Sequence, residues 1–243
     1  MSGARQFVDL HCHWLVGIDD GARTIEESRE ILGGLRALGF GTVVATPHMR
    51  PGLFDNDRAA IQVAWERTRA ELGGSDLPEL ALASEHYFDD VVVGRIKAGE
   101  GLPYPGNRAV LLEFYDQRFP LSLSHQLFEL QRQGLRPVIA HPERYQRIWE
   151  APEVLEQLVD AGSIALLDAA ALMGKYGSQP RRCAEKLLEA GLYHAACSDA
   201  HRPRDVEAVA EGMEIIRQRF GADEVDFLFG EGPRQILEGR VQA

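Results

Sequence analysis

Short apolar runs recur along the chain, and each closes on a polar or ionisable residue before a stretch of helical periodicity begins. The runs fall at 7–10, 42–46, 80–83, 109–112, 137–140, 163–167 and 193–197. Their apolar positions are continuous rather than alternating, which marks strands covered on both faces. Between them, helical periodicity is expected over 57–72, 123–134, 152–162, 180–191 and 204–220. A further helix opens at Thr24, where Thr24 and Glu27 have the spacing of a capping box, and ends near Gly39. Several of these segments close on glycine, as a left-handed C-terminal cap requires.

Alternation of strand and helix implies a parallel sheet with right-handed crossovers. Seven strands with no linker, repeat or low-complexity break predict one α/β domain spanning 1–243, closed or nearly closed as a barrel. A doubly wound open sheet is the alternative, but no glycine-rich phosphate loop follows the first strand.

Composition narrows the function. The chain has 243 residues, 45% apolar and 26% charged, as an ordinary globular protein does. Its net charge of −11 argues against nucleic acid as a partner, because phosphate backbones recruit Lys and Arg. Part of that charge is expected to serve as ligands for cations. No run approaches the roughly 20 apolar residues that cross a bilayer, so no membrane insertion is expected. Residues 1–9 show neither the basic flank nor the apolar core of a secretory leader. Three cysteines, Cys12, Cys183 and Cys197, follow no disulfide spacing and read as free thiols of a reducing compartment, hence a cytoplasmic protein.

The chemistry lies at the strand ends, where parallel α/β barrels carry their functional residues. The first run ends in Asp9-Leu10-His11-Cys12-His13; residues two apart on an extended segment point the same way, so both imidazoles can reach one ion. His48 follows the second run, Glu85 and His86 the third, Glu113 the fourth, His141, Glu143 and Arg144 the fifth, Asp168 the sixth, and Asp199 and His201 the seventh. Each alone is weak, since a single strand-end histidine is more often a hydrogen-bonded structural residue. Together they are not: burying so many ionisable groups costs several kcal/mol per charge without compensation, and divalent cations supply it. Imidazole and carboxylate donors suit manganese, iron or zinc.

These segments resemble the polymerase-and-histidinol-phosphatase (PHP) superfamily, and within it the capsule-cluster (CpsB/CapC-type) bacterial tyrosine phosphatases. The matching stretches are DLHCHWLVGIDDGARTIEES, ATPHMRPGLFDND, ASEHYF, LLEF, VIAHPERYQRI, LMGKYG and CSDAH, in that order over nearly the whole chain. The resemblance implies a distorted (β/α)7 TIM-like barrel, the PHP fold. It implies metal ligands at His11, His13, Asp20, His48, Glu85, Glu113, His141, Asp199 and His201, holding three divalent ions, manganese first and iron or zinc as alternatives. A plausible partition gives His11, His13, Glu85 and Asp199 one ion, Glu113 and His141 a second bridged by Glu85, and Asp20, His48 and His201 a third. Arg144 matches the family's phosphate-binding arginine. The family's further arginine, beyond the last histidine, falls on Val206 here, leaving Arg202 or Arg204 to substitute.

The implied activity is a metal-dependent protein-tyrosine phosphatase linked to capsular or exopolysaccharide regulation, in which a hydroxide shared by two cations attacks phosphorus. Its catalytic residues would be His11, His13, Glu85 and Arg144. The implied partner is a phosphotyrosine protein such as the tyrosine-rich tail of a bacterial kinase. Alternatives are another PHP phosphoesterase, acting on histidinol phosphate or a nucleotide, and a non-catalytic, metal-stabilised partner of a polysaccharide export kinase. An amidohydrolase would want a bridging lysine near the fourth strand, where this chain has Glu113. His86, His125 and His194 match no ligand position and are expected to be structural or on the surface. Asp9 is expected to hydrogen-bond a ligand or its backbone, and Glu143 to serve behind the ligands or in an exposed ion pair.

Overall fold

Every apolar run forms a strand close to where it was expected, but two of the strands break before they reach the mouth. The protein's structure, a computed structural model, describes residues 6–74, 76–115 and 119–241; residues 1–5 of the stretch read for a leader lie outside the described residues. The strands are β1 (Phe7–Cys12), β2 (Phe40–Ala45), β3 (His48–Met49), β4 (Glu79–Leu82), β5 (Glu85–Tyr87), β6 (Ala109–Glu113), β7 (Arg136–Ala140), β8 (Ile164–Asp168) and β9 (Tyr193–Cys197). They pair in parallel as β1-β2-β4 and as β3-β5-β6-β7-β8-β9. β3 continues β2, and β5 continues β4, so the two sheets share staves. The break falls at Pro47, which has no N–H to give a ladder. Its carbonyl is used instead, accepting from Glu85 N at 3.1 Å and from Ser84 Oγ at 2.8 Å.

The ring returns to β1 at the mouth, through a parallel bridge between Cys12 and Ala200. His13 N donates to Ala200 O and Asp199 N to His11 O, both at 2.9 Å. Lower down, two seams lack a ladder among the described residues, and each is filled by chain. Residues 102–106 fill the first: Ser84 N donates to Leu102 O, Tyr104 N to Ala109 O, and the buried Tyr104 hydroxyl to Leu10 O. The second seam, between β1 and β9, is covered by the chain's last helical turns, which pack on both strands. These distortions replace the regular closure of an ideal barrel.

The crossovers carry α1 (Ile25–Ala37), α2 (Arg58–Leu72), α3 (Asp90–Lys97), α4 (Leu123–Arg132), α5 (Gln146–Glu150), α6 (Glu153–Asp160), α7 (Ser178–Glu189) and α8 (Asp205–Phe220), followed by α9 (Ala222–Asp226) and α10 (Gly232–Leu237). Thr24 caps α1 by accepting from Glu27 N, but Glu27 reaches back to Arg23 N, one residue before the expected cap partner. α3 escaped the periodicity because Asp90-Val91-Val92-Val93-Gly94 is rich in β-branched residues and glycine, both poor helix formers. Asp89 starts it by accepting from Val92 N at 2.7 Å.

Two apolar layers result. One fills the barrel, with Val8, Leu10, Val44, Ala83, Leu111, Val138, Leu166 and Ala195 among its members. The other lies between strands and helices and includes Leu35, Val43, Leu112, Ile139, Leu167 and Ile216. Neighbouring residues of one strand thus divide between the layers, which is the double-sided burial that the continuous apolar runs imply. The tight fit extends to the seam. A Cβ on Gly232, whose own φ is helical, would collide with the carbonyl oxygen of His194. Gly232→Ala is therefore expected to cost about 1–3 kcal/mol and to lower the thermal midpoint by several degrees, read by calorimetry; an unchanged midpoint would mean that α10 does not press on the seam.

Candidate active site

Following each stave upward from the apolar plug leads to an ionisable group. Leu111 of the inner layer is followed two residues on by Glu113, Leu166 by Asp168, Cys197 by Asp199, and Ala83 by Glu85. The period of two thus carries the inward face out of the core and into the mouth. β1 would break this rule, since parity with Val8 and Leu10 points Cys12 inward. A register irregularity between Asp9 and Cys12 reverses the facing. Cys12 joins the outer layer, and His11 and His13 turn into the barrel. At β7 the correction is a backbone one: His141 has φ 34°, in the left-handed region, and Asp199 at the end of β9 has φ 42°. Non-glycine residues held there carry strain of order 1–3 kcal/mol, a feature that clusters at functional sites.

Glu85 lies at the centre, 1% exposed. Its Oε1 is 3.3 Å from His11 Nε2 and 3.1 Å from His141 Nε2, and its Oε2 is 2.8 Å from His48 Nδ1 and 3.6 Å from His13 Nε2. Asp199 Oδ1 stands 3.1 Å from His11 Nε2 and 3.4 Å from His13 Nε2. Asp20, at the lip, places Oδ1 3.4 Å from His48 Nε2 and 3.5 Å from His201 Nε2. Glu113 Oε2 lies 3.7 Å from His48 Nδ1. All nine expected ligands therefore come together. Their groupings overlap: His11, His13 and Glu85 lie together as the expected partition has them, Asp20, His48 and His201 lie together with His13 added, His141 lies with His11 and Asp199, and Glu113 lies with His48 and Glu85. The His13 ring stacks on His201 with centroids 4.0 Å apart, and His13 is shared by two of the groups.

The donor chemistry fits divalent cations. His11 Nε2, His13 Nε2, His48 Nδ1, His141 Nδ1, Glu85 Oε2, Glu113 Oε2 and Asp199 Oδ1 are all buried without a hydrogen-bond partner among the described residues. So many orphaned polar atoms around one point would be expensive in a finished core. Electrostatics says the same. Burial, then the charge of Glu85, raises the Glu113 carboxyl to about 7. Burial, then Arg144, lowers His141 to about 4. Burial opposes ionisation of Glu85, yet the His11 and His48 charges hold it well below the usual carboxylate range.

A second ring of groups fixes the first. His11 Nδ1 meets Thr46 Oγ1 at 2.6 Å, and His13 Nδ1 meets Asp19 Oδ2 at 2.9 Å. Asp19 also accepts from His48 N and Gly21 N, so Asp19 orients while its neighbour Asp20 reaches the cluster. Such outer partners set ring orientation and tautomer. Asp9 accepts from His11 N and from both the amide and hydroxyl of Ser198, tying β1 to β9. Glu143 is fully buried rather than exposed, accepting from Asp168 N at 3.0 Å and Tyr193 Oη at 2.8 Å. Asp168 stays below the mouth, accepting from Ala170 N, and belongs to none of the ligand groups among the described residues. His86 bridges Leu111 O and Leu102 N, His194 contacts Gln235, and His125 is exposed on α4.

The arginines correct one expectation. Arg144 lines the cavity, donating to Asp199 Oδ2 at 2.6 Å and lying over the Tyr176 ring at 4.4 Å. Arg202 does not line it; its Nη1 is spent on the carbonyls of Asp20, Gly21 and His201. Arg204 sits exposed at the start of α8 and is likewise absent from the lining. Instead Arg50, which motif matching passed over, reaches the cavity of about 250 Å³ beside Glu113, in company with Phe54, Phe114 and Tyr115. Its signal lay only in its place, two residues beyond His48.

Comparison with known proteins finds relatives over nearly the whole chain. The family model described as capsular polysaccharide synthesis, CpsB/CapC, matches residues 7–238. The tyrosine-protein phosphatase YwqE of Bacillus subtilis is 30% identical over 96% of this chain and 92% of its own. The tyrosine-protein phosphatase CpsB of Streptococcus pneumoniae is 26% identical over 95% of this chain and 98% of its own. A crystal structure from work on those two proteins, described as unique metal-dependent tyrosine phosphatases, matches with a TM-score of 0.87 and 30% identity over 97% of this chain and 95% of that one. A phosphotriesterase homology protein from Escherichia coli, at TM-score 0.61 and 13% identity over 96% of this chain and 99% of that one, shares the fold alone.

Stripping divalent cations with a chelator is expected to lower the thermal midpoint, and readdition to restore it, because a ligand bound only by the folded state stabilises it by mass action. Glu85→Gln should reduce bound metal, measured by elemental analysis, more than any single change among the lip residues. Equal metal content in Glu85→Gln and the parent would count against the central place of this carboxylate.

Proposed function

The chain belongs to the CpsB/CapC family of capsular polysaccharide synthesis, and from that premise we propose that it is a metal-dependent protein-tyrosine phosphatase. The observation that carries this reading is the set of buried, unpartnered imidazole and carboxylate atoms gathered around Glu85, at and beneath a cavity that also receives the Arg144 guanidinium. Three divalent ions, manganese first and iron or zinc as alternatives, would be held by His11, His13, Asp20, His48, Glu85, Glu113, His141, Asp199 and His201. When bound, such cations activate water and draw charge from a phosphoryl group.

The chain's own residues do the rest. Glu85 faces His11, His13, His48 and His141 at once, so its two oxygens set the spacing of the centre. Thr46, Asp19 and Asp9 hold the histidines and the β1–β9 junction in place. Arg144 presents a planar donor fork that matches two phosphoryl oxygens, with Asp199 and Tyr176 fixing its plane. Phe54, Phe114 and Tyr115 offer apolar walls for a phenyl ring. A tyrosine leaves as a phenol of pKa about 10, so little general-acid help is needed, and the lining among the described residues contains no lysine or cysteine to form a covalent intermediate. The same lack of lysine disfavours the amidohydrolase alternative.

Tyr115 is 54% and Leu53 60% exposed, which opens the rim to a side chain projecting from a flexible segment. That suits the tyrosine-rich tail of a capsule- or exopolysaccharide-governing kinase as partner. No helix among the described residues is long and apolar enough to cross a membrane. The three cysteines are free and buried, in keeping with a reducing, cytoplasmic setting.

Manganese-loaded protein is expected to release phosphate from phosphotyrosine peptides faster than from phosphoserine peptides or histidinol phosphate, and to lose that turnover on chelation. A preference for histidinol phosphate would move the protein to another branch of the superfamily. Arg144→Gln should lower kcat/KM about a hundredfold, the scale seen when one preorganised donor to a transition state is lost, while bound metal stays near that of the parent. Undiminished hydrolysis in this variant would remove Arg144 from the phosphate site.

A further inference from the structure

Among the described residues two arginines, not one, face the cavity, and they are restrained alike. Arg144 enters after β7, beside the carboxylate of Asp199 and over the ring of Tyr176. Arg50 enters just after β3, its Nη1 3.8 Å from Glu113 Oε2 and its guanidinium 4.2 Å from the centre of the Tyr87 ring. β3 and β7 are separated around the sheet by β5 and β6, so the two side chains approach from different walls. Arg50 is set on a tight hairpin. Arg50 N donates to Phe54 O at 3.1 Å and Phe54 N to Arg50 O at 2.8 Å, while Gly52 takes φ 83° at the turn. The same hairpin stacks Phe54 on His48, with ring centres 5.1 Å apart and planes within 7°.

Among the described residues the guanidinium of Arg50 has an ion pair and a ring contact but no hydrogen bond. At 3.8 Å the contact with Glu113 is an ion pair without a hydrogen bond, and Glu113 Oε2 has no hydrogen-bond partner among the described residues. Arg202, by contrast, has its Nη1 engaged by three backbone carbonyls. A guanidinium held by stacking, poised near a carboxylate yet not bonded to it, is preorganised for an incoming anion.

We propose that Arg50 is the second phosphate-binding residue of this site, taking the phosphoryl group of a phosphotyrosine from the wall across from Arg144. The assignment rests on the phosphatase reading above. It fills the place that Val206 leaves vacant and that Arg202 and Arg204 do not reach.

The test compares the metal-loaded parent with Arg50→Gln and Arg50→Lys. Phosphotyrosine-peptide turnover gives kcat and KM, titration calorimetry gives the affinity for inorganic phosphate, and elemental analysis gives bound metal. Arg50→Gln is expected to raise KM and the phosphate dissociation constant about tenfold, with kcat less affected and metal content unchanged. Arg50→Lys should recover part of the affinity, because a point charge replaces a fork. Unaltered KM and phosphate affinity in Arg50→Gln would overturn the assignment, as would a parallel fall in metal content, which would make Arg50 a support for Glu113. A parent that binds phosphate through Arg50 yet leaves phosphotyrosine untouched would defeat the phosphatase reading and keep the assignment.

Discussion

The arrangement depends on one carboxylate that faces four imidazoles. Glu85 sits at the break between β4 and β5, and that break exists because Pro47 on the neighbouring stave cannot continue the ladder. The offset lets His48 and Glu85 pair in register at the mouth. Around that pair the remaining donors assemble from β1, β6, β7 and β9. Alone, such a cluster opposes folding, because each buried ion costs several kcal/mol to desolvate. The protein accepts that cost above a dry interior of Leu, Val and Ala, which resists collapse of the cluster into better-satisfied contacts.

Strain is placed where the chemistry is. His141 and Asp199 hold left-handed backbone, and β1 slips register between Asp9 and Cys12. At β1 and at His141 the deviation turns a side chain that ordinary strand parity would misdirect into one that meets Glu85. Asp9 and Ser198 then lock the slipped segment to β9 through buried hydrogen bonds. The cluster is thus positioned by backbone geometry more than by flexible side chains, as a preorganised centre requires.

Much of this was legible in the residues. Continuous apolar runs revealed buried parallel strands, and strand-end His, Asp and Glu revealed the cluster, because both follow from local pattern. What was hidden depends on distance or on the backbone. Asp90–Lys97 went unassigned because its valines and glycine give little helical signal, although Asp89 caps it as a helix. Glu143 gave no sign of being buried, since its partners Asp168 and Tyr193 lie on other staves. Arg50 was missed, and Arg202 and Arg204 overvalued, because nearness in sequence to the last histidine was taken for nearness to the cavity. Arg202 bends instead toward carbonyls of the 20–21 loop.

The seam between β1 and β9 has a consequence for how the molecule comes into being. β1 and the residue after it supply two imidazoles, Asp199 follows β9, and the strip that covers their junction from below, Phe227–Glu231 and α10, lies far downstream of β1 in the chain. The other staves can stack while β1, already paired with β2, still lacks its second neighbour, because that neighbour lies some 180 residues downstream. Completion of the chemical centre therefore waits on the contact of longest sequence separation, and Asp199 and His201 stay apart from His11 and His13 until the circle is joined.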